Sequence, residues 1–304
     1  MRLQSLLCFT VTSLITEKYD ALSSPRGLLR RFRRNLNWKT VPSSSMPPLT
    51  PAEPENTLVN GSETKHYAET HKDIGNLFEQ NLEYVQMKKA RDPLFFEKLA
   101  ATHKPKYLWI GCADARVPAN EIMGEEAGSV FVVRNVANMV VGTDFNLMSA
   151  LQYAMSVLEI PHIIVCGHYD CGGVRASIVN RDHVPPLENW LRNIRDVYRL
   201  HQKELDAISD PEQRHRRLVE LNVIEQCINL FKTGAVQRRR VETYMNKDLP
   251  YSTPRIHACV FDPKDGILRP LQVDLNKYLN QYHDIYDLYT VDEMKKMRLV
   301  NKYL

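Results

Sequence analysis

The sequence predicts an α/β protein: a parallel-core β-sheet flanked by helices, with an N-terminal helical arm. Three observations predict it. Residues 105–110 read as a strand, and 163–166 is a short, continuous apolar run of the kind buried in a parallel sheet. A strongly helical period lies between them, over residues 144–159. Both runs end directly in residues that carry chemistry, and open α/β sheets collect such residues beyond the carboxyl ends of their strands.

Taken in chain order, folded structure is expected from about residue 65. Ile74, Leu77, Phe78, Leu82 and Val85 recur at helical spacing, giving an amphipathic helix that ends before Pro93. The run 105–110 is a strand that delivers Cys112 at its end, and 130–133 is a second strand. Residues 144–159 place Leu147, Leu151, Ala154, Met155 and Leu158 on one helical face, with Asp144 as the cap. The strand 163–166 then runs into the loop at His168, and Gly172-Gly173 allow a close backbone approach before a helix. Helices follow at 187–205, 212–232 and 235–245, and then a strand at 255–261. A turn at Pro263-Lys-Asp-Gly266 leads into 267–273 as a closing hairpin. Residues 276–304 read as a polar tail.

Composition narrows the class. The 304 residues are 43% hydrophobic and 25% charged, the balance of an ordinary globular protein, and no apolar run is long enough for an integral membrane segment. The formal charge of +4 is concentrated at the start: residues 1–50 hold eight Arg or Lys against two acids, so the rest of the chain is slightly acidic. That leaves no basic surface for nucleic acid. The first 40 residues join an apolar stretch to Arg26, Arg30, Arg31, Arg33 and Arg34, an acid-poor composition that reads as an organellar address, mitochondrial or plastid. A secretory signal core, or an ordinary basic tail on a cytoplasmic protein, is the alternative. Residues 41–64, rich in Pro and Ser, are a linker. Six scattered cysteines do not form a disulfide framework, and Cys166 and Cys259 read as small hydrophobes in buried strands.

The chemistry concentrates in Gly-Cys-Ala-Asp-Ala-Arg (111–116) and His168-Tyr-Asp-Cys171. Two thiolates and an imidazole match catalytic zinc sites, which keep three protein ligands and leave the fourth position to water or substrate. Alternation along an extended segment would point Cys112, Asp114 and Arg116 the same way. Zinc on Cys112, His168 and Cys171 would lower the pKa of a bound water. Asp114 can accept a hydrogen bond from that water, or it can swing onto the metal as a fourth ligand and expel it. Arg116 decides between the two by holding the carboxylate in a bidentate pair.

The stretch 103–177 carries His103-Lys-Pro-Lys-Tyr-Leu-Trp-Ile-Gly-Cys-Ala-Asp-Ala-Arg-Val-Pro118, Val133-Arg-Asn-Val-Ala-Asn138 and Ile163-Ile-Val-Cys-Gly-His-Tyr-Asp-Cys-Gly-Gly-Val174. It closely resembles the β-class carbonic anhydrases. The resemblance implies Zn2+ on Cys112, His168 and Cys171, an Asp114 and Arg116 dyad, and reversible hydration of carbon dioxide to bicarbonate and a proton. It also implies a catalytic domain over 65–275, homodimers paired by an exchanged N-terminal helix, and often homotetramers. One branch of that family has a second bicarbonate site, marked by a Trp, an Arg and a late Tyr. Trp109 and Arg134 match the first two markers, whereas Phe261 stands where the Tyr is expected.

Blander readings stand beside these. The ligand set could be a closed structural zinc site with Asp114 permanently fourth, in a non-catalytic subunit, and Asp114 with Arg116 a structural ion pair. Trp109 could be simple core, and Arg134 a surface or interface salt-bridge residue. A hydrolase of carbonyl sulfide or carbon disulfide on the same fold would share every ligand. A phosphatase reading of Cys112 fails, because a phosphate loop wants Arg six positions on and residue 118 is Pro. His162, His183 and His201 have no ligand spacing.

Overall fold

The structure, a computed structural model, describes residues 69, 71, 74–246, 251–286, 288–290 and 292–296. The targeting segment and linker expected over 1–64 lie outside the described residues. The chain divides after Asp92 into two compact units. In the first, α1 (Asn76–Arg91) ends as the sequence predicts, with the Asp92 N–H on the Lys88 carbonyl and Lys88, Lys89 and Arg91 in the last turn. Cations there suit the negative end of the helix dipole. The apolar stripe of α1 is not buried: Leu77, Leu82 and Met87 are all exposed.

The second unit is built on one sheet. Its strands are β1 (Tyr107–Cys112), β2 (Val130–Asn135), β3 (His162–His168), β4 (Arg255–Asp262) and β5 (Ile267–Leu271). They lie in the order β2-β1-β3-β4-β5, the first four parallel and β5 antiparallel to β4. This is the predicted α/β architecture, with the expected closing hairpin at one edge. Its turn ends on Gly266 at φ 72°, a left-handed conformation that costs glycine nothing. β1 and β3 sit inside the sheet, which is why their middles are apolar and every residue but the first is buried.

Short helices α2 (Phe95–Ala101) and α3 (Ala119–Met123) were not evident from periodicity, because at seven and five residues neither completes two turns. α4 (Phe145–Ser156) is capped by Asp144, whose side chain accepts from the Asn146 and Leu147 amides as expected. α5 (Gly172–Ser177) follows the His168 loop. The helix expected over 187–205 is two, α6 (Leu187–Leu200) and α7 (Gln202–Asp206), broken where His201 leaves helical geometry. α8 (Pro211–Phe231) has Asp210 as its cap and Pro211 in the first turn, where a missing N–H costs nothing. α9 (Gly234–Asn246) precedes β4.

One face of the sheet forms the main core: Leu108, Ile110, Ile163, Val165, Ala258 and Val260 pack with Leu151 and Met155 of α4 and Leu218 and Val223 of α8. The other face holds a smaller cluster of Trp109, Ile164, Cys166 and Phe261 with Val117 and Ala119. Trp109 is therefore core, with its indole N–H buried and unpaired. The segment expected to be a polar tail includes α10 (Leu275–Tyr286), whose Leu279 packs with Phe231 and Leu288. Its apolar positions are few, and only a partner from α8 makes them a buried set. Among the described residues, no helix is long and apolar enough to cross a membrane.

Candidate metal centre

Parallel pairing of β1 with β3 brings their carboxyl ends to the same edge, and both ends carry a ligand type. Cys112 is the last residue of β1, His168 the last of β3, and Cys171 the residue from which α5 starts. Their Sγ, imidazole nitrogen and Sγ all lie within 4.8 Å of one another, and the two sulfurs are 3.9 Å apart. All three residues are buried. Gly173 permits the approach of α5, since a Cβ there would meet Val136 Cγ1 at 2.7 Å. Gly172 is open to either side, so only the second glycine of the pair is needed for contact.

A cation fits this pocket. Nδ1 of His168 lies 3.0 Å from the Tyr169 carbonyl and so must carry the ring's proton toward it, which leaves Nε2 as a bare acceptor. That Nε2 is buried with no hydrogen-bond partner. A buried, unpaired acceptor is costly unless something electropositive reaches it. The thiols agree with this: their Sγ atoms lie 3.9 Å apart, close enough for either to donate to the other, and that contact lowers the thiol pKa of Cys112 while raising that of Cys171. Two buried sulfurs this close cannot both carry charge without a cation beside them, which makes them a site for a divalent ion.

Asp114 and Arg116 come to the same edge by a different route from the one expected. β1 stops at Cys112, and the extended alternation stops with it: Val117 N donates to Asp114 O at 3.0 Å, closing a turn. The Asp114 carboxylate accepts from the Arg116 amide at 2.9 Å, a local bond that competes with extended pairing. Arg116 also grips the carboxylate in the predicted bidentate manner, Nε to Oδ1 at 3.0 Å and Nη2 to Oδ2 at 2.8 Å. These hydrogen bonds hold the Asp114 carboxyl well below the usual carboxylate range. Its Oδ2 lies 3.7 Å from His168 Nε2, so the carboxylate borders the three-donor cluster while bound to Arg116.

Arg134 does not face outward to a surface carboxylate. Its Nε donates to the Cys112 carbonyl at 2.8 Å and its Nη2 to the Asp114 carbonyl, so it splints the turn that joins ligand to dyad. Asp170 was not singled out from the sequence; it lies between His168 and Cys171 and bridges Arg116 (3.4 Å) and Arg175 (3.1 Å). Its left-handed φ of 57° suits Asp better than most residues. The three histidines without ligand spacing are occupied as expected, His183 on the Ala176 carbonyl, His201 on Glu225 and His162 on His257.

Fold and site together define an α/β enzyme with a Cys-His-Cys metal-type centre at the carboxyl edge of a parallel sheet. Comparison with known proteins gives the family. Residues 107–268 match the family model described as carbonic anhydrase. A carbonic anhydrase of Emericella nidulans is 50% identical over 225 residues, covering 74% of this chain and 93% of its own. Among solved structures, one from a study of two tetrameric β-carbonic anhydrases of Sordaria macrospora is 34% identical. It has a TM-score of 0.58 and is matched over 69% of this chain and 97% of that one. A Coccomyxa β-carbonic anhydrase in complex with acetazolamide matches at TM-score 0.59 and 29% identity, over 76% and 98%. The chain belongs to the β-carbonic anhydrase family, whose general reaction is the hydration of carbon dioxide.

Proposed function

We propose that this chain catalyses zinc-dependent, reversible hydration of carbon dioxide to bicarbonate and a proton, with zinc held by Cys112, His168 and Cys171. The observation that carries the reading is the buried, unpaired Nε2 of His168 in a cluster with two buried cysteine sulfurs that lie 3.9 Å apart. Zinc, when bound, supplies a Lewis acid that brings the pKa of water toward neutrality.

The protein's own residues do the rest. The Tyr169 carbonyl fixes the His168 ring, so Nε2 presents its lone pair inward. Arg116 keeps Asp114 ionised, and Oδ2 is then an acceptor that holds a proton of the attacking water and orients its oxygen. Arg134 keeps the turn in place from below. A closed structural site needs no ionised carboxylate poised beside its ligands.

The test is direct. The purified protein should hold about one zinc per chain, and Cys171→Ser and His168→Ala should each lose metal and stopped-flow hydration activity together. Full zinc occupancy in either variant would refute the ligand assignment.

Two wider readings belong with this one. The catalytic domain over 65–275 works as a homodimer or homotetramer; the exposed Leu77, Leu82 and Met87 of α1 support it, being apolar side chains that a second copy would cover. A shift from oligomer to monomer in Leu77→Glu/Leu82→Glu, read by sedimentation, is expected. Residues 1–64 deliver the protein to a mitochondrion or plastid, and a fluorescent fusion of 1–65 that stays cytosolic would overturn that.

A further inference from the structure

We propose that Asn222, on α8, is a positioning residue for the metal centre: it holds the backbone loop whose Ala137 N–H donates to the sulfur of Cys112. The inference rests on the zinc reading of Cys112 given above.

The loop after β2 is unusual in its backbone. Ala137 and Asn138 follow one another at φ 63° and 50°, both in the left-handed region without being glycine. Such residues persist only where their surroundings hold them there. What this conformation achieves is visible at its inner side: the Ala137 amide points at Cys112 Sγ, 3.4 Å away. An N–H aimed at a metal-binding thiolate withdraws electron density from the sulfur and tunes its hold on the ion.

The clamp on this loop comes from far along the chain. Asn222 Nδ2 donates to the Ala137 carbonyl at 3.0 Å, so the same peptide segment is held on its outer side. Gln226, one helical turn on, accepts from the Val140 amide at 2.8 Å and donates to Asn222 Oδ1 at 3.1 Å. Both amides are fully buried, in a stretch of α8 whose other buried residues include Leu218, Val219, Leu221 and Val223. A buried carboxamide on an apolar helix face destabilises unless its bonds are made, and both bonds of Asn222 go to this loop or to the paired amide; Gln226 Oε1 accepts besides from Asn229 Nδ2 at 3.3 Å.

The experiment compares the intact protein with Asn222→Leu, which keeps the branched shape of the side chain and removes the donor. Both are loaded with cobalt or cadmium, and the thiolate-to-metal charge-transfer band is recorded, together with metal affinity by chelator competition. Loss of the N–H···S bond raises the sulfur donor level, so the band should move to longer wavelength; the loop that sets the place of Cys112 is freed as well, and for that reason affinity should fall about tenfold or more. Leu205→Ala, buried in α7 and outside the loop, controls for lost stability alone and should leave the band unmoved. An unmoved band and unchanged affinity in folded Asn222→Leu would overturn the proposal. Should that variant not fold, the unmodified protein loaded with an NMR-active cadmium isotope decides: scalar coupling between cadmium and the Ala137 amide proton is expected, and its absence is the overturning result. Full metal occupancy in Cys171→Ser is a separate outcome and would remove the zinc reading itself.

Discussion

Replacing Arg134 with methionine tests whether the turn at 112–117 needs its splint. The side chain keeps most of its apolar stem but loses two hydrogen bonds, to the carbonyls of Cys112 at 2.8 Å and of Asp114. Hydrogen bonds to a charged group contribute roughly 1.5–3 kcal/mol each, and removing the donor leaves two acceptors to be resolvated. Arg134 is half-buried and Cys112 is 5% exposed, so water can reach the Asp114 carbonyl more readily than that of Cys112. The discounted sum is about 3 kcal/mol, which for a fold of this size lowers Tm by roughly 6–12 °C. The functional effect is separate. A turn freed to drift by even ~1 Å carries Asp114 out of reach of the reacting water, and misplacement of that size costs on the order of 100-fold in rate. The assay is thermal unfolding beside stopped-flow hydration, with both proteins matched for zinc content. Arg134→Lys should recover less than half of either loss, because a point charge on a flexible stem does not serve two carbonyls in a fixed fork. Should Arg134→Met unfold within ~2 °C of the parent and turn over normally, the residue is no splint, and its contacts are incidental.

Three further outcomes follow from the same geometry. Asp114→Asn and Arg116→Ala should each lower kcat by on the order of 100-fold while zinc content is unchanged, since neither belongs to the three-donor cluster; near-normal kcat at alkaline pH in either would leave the pair purely structural. The Asp265 carboxyl, held down to about 2 chiefly by hydrogen bonds from Arg269, should show that value in an NMR titration. Its folded pKa is depressed, so its contribution to stability is present above the ordinary carboxylate range and is lost as pH falls through about 2; Arg269→Gln should return the titration toward the ordinary value, and no movement would show that the ion pair is not its cause. Phe261→Tyr places a hydroxyl in the small cluster that also buries the unpaired Trp109 N–H, and bicarbonate inhibition should increase. Unchanged sensitivity in that variant would take position 261 out of any regulatory role.

What could be read from the chain before its structure divides along a physical line. Strands β1 and β3 were legible because both lie inside the sheet and have apolar middles, Leu108 to Ile110 and Ile163 to Cys166, and their ligands were legible because they stand at the strand ends. The Asp144 cap and the Gly266 turn were legible for a related reason: each satisfies its own neighbours, within three or four residues. The turn at Asp114 was misread as extended, since Cys112, Asp114 and Arg116 alternate on paper and the competing bond is made by a side chain to the Arg116 amide. Arg134 could not be distinguished from a surface arginine, because its partners are carbonyls, which every residue has and no sequence displays. Asn222 lay furthest from view. It meets Ala137 across 85 residues, through a carbonyl again, and only on a loop whose left-handed backbone no glycine announces. The ligands of this site are written in side-chain types, whereas the parts that aim them are backbone groups held from a distance. A variant series restricted to Cys112, His168, Cys171, Asp114 and Arg116 would therefore report which groups are necessary, and would miss the residues that decide where those groups stand.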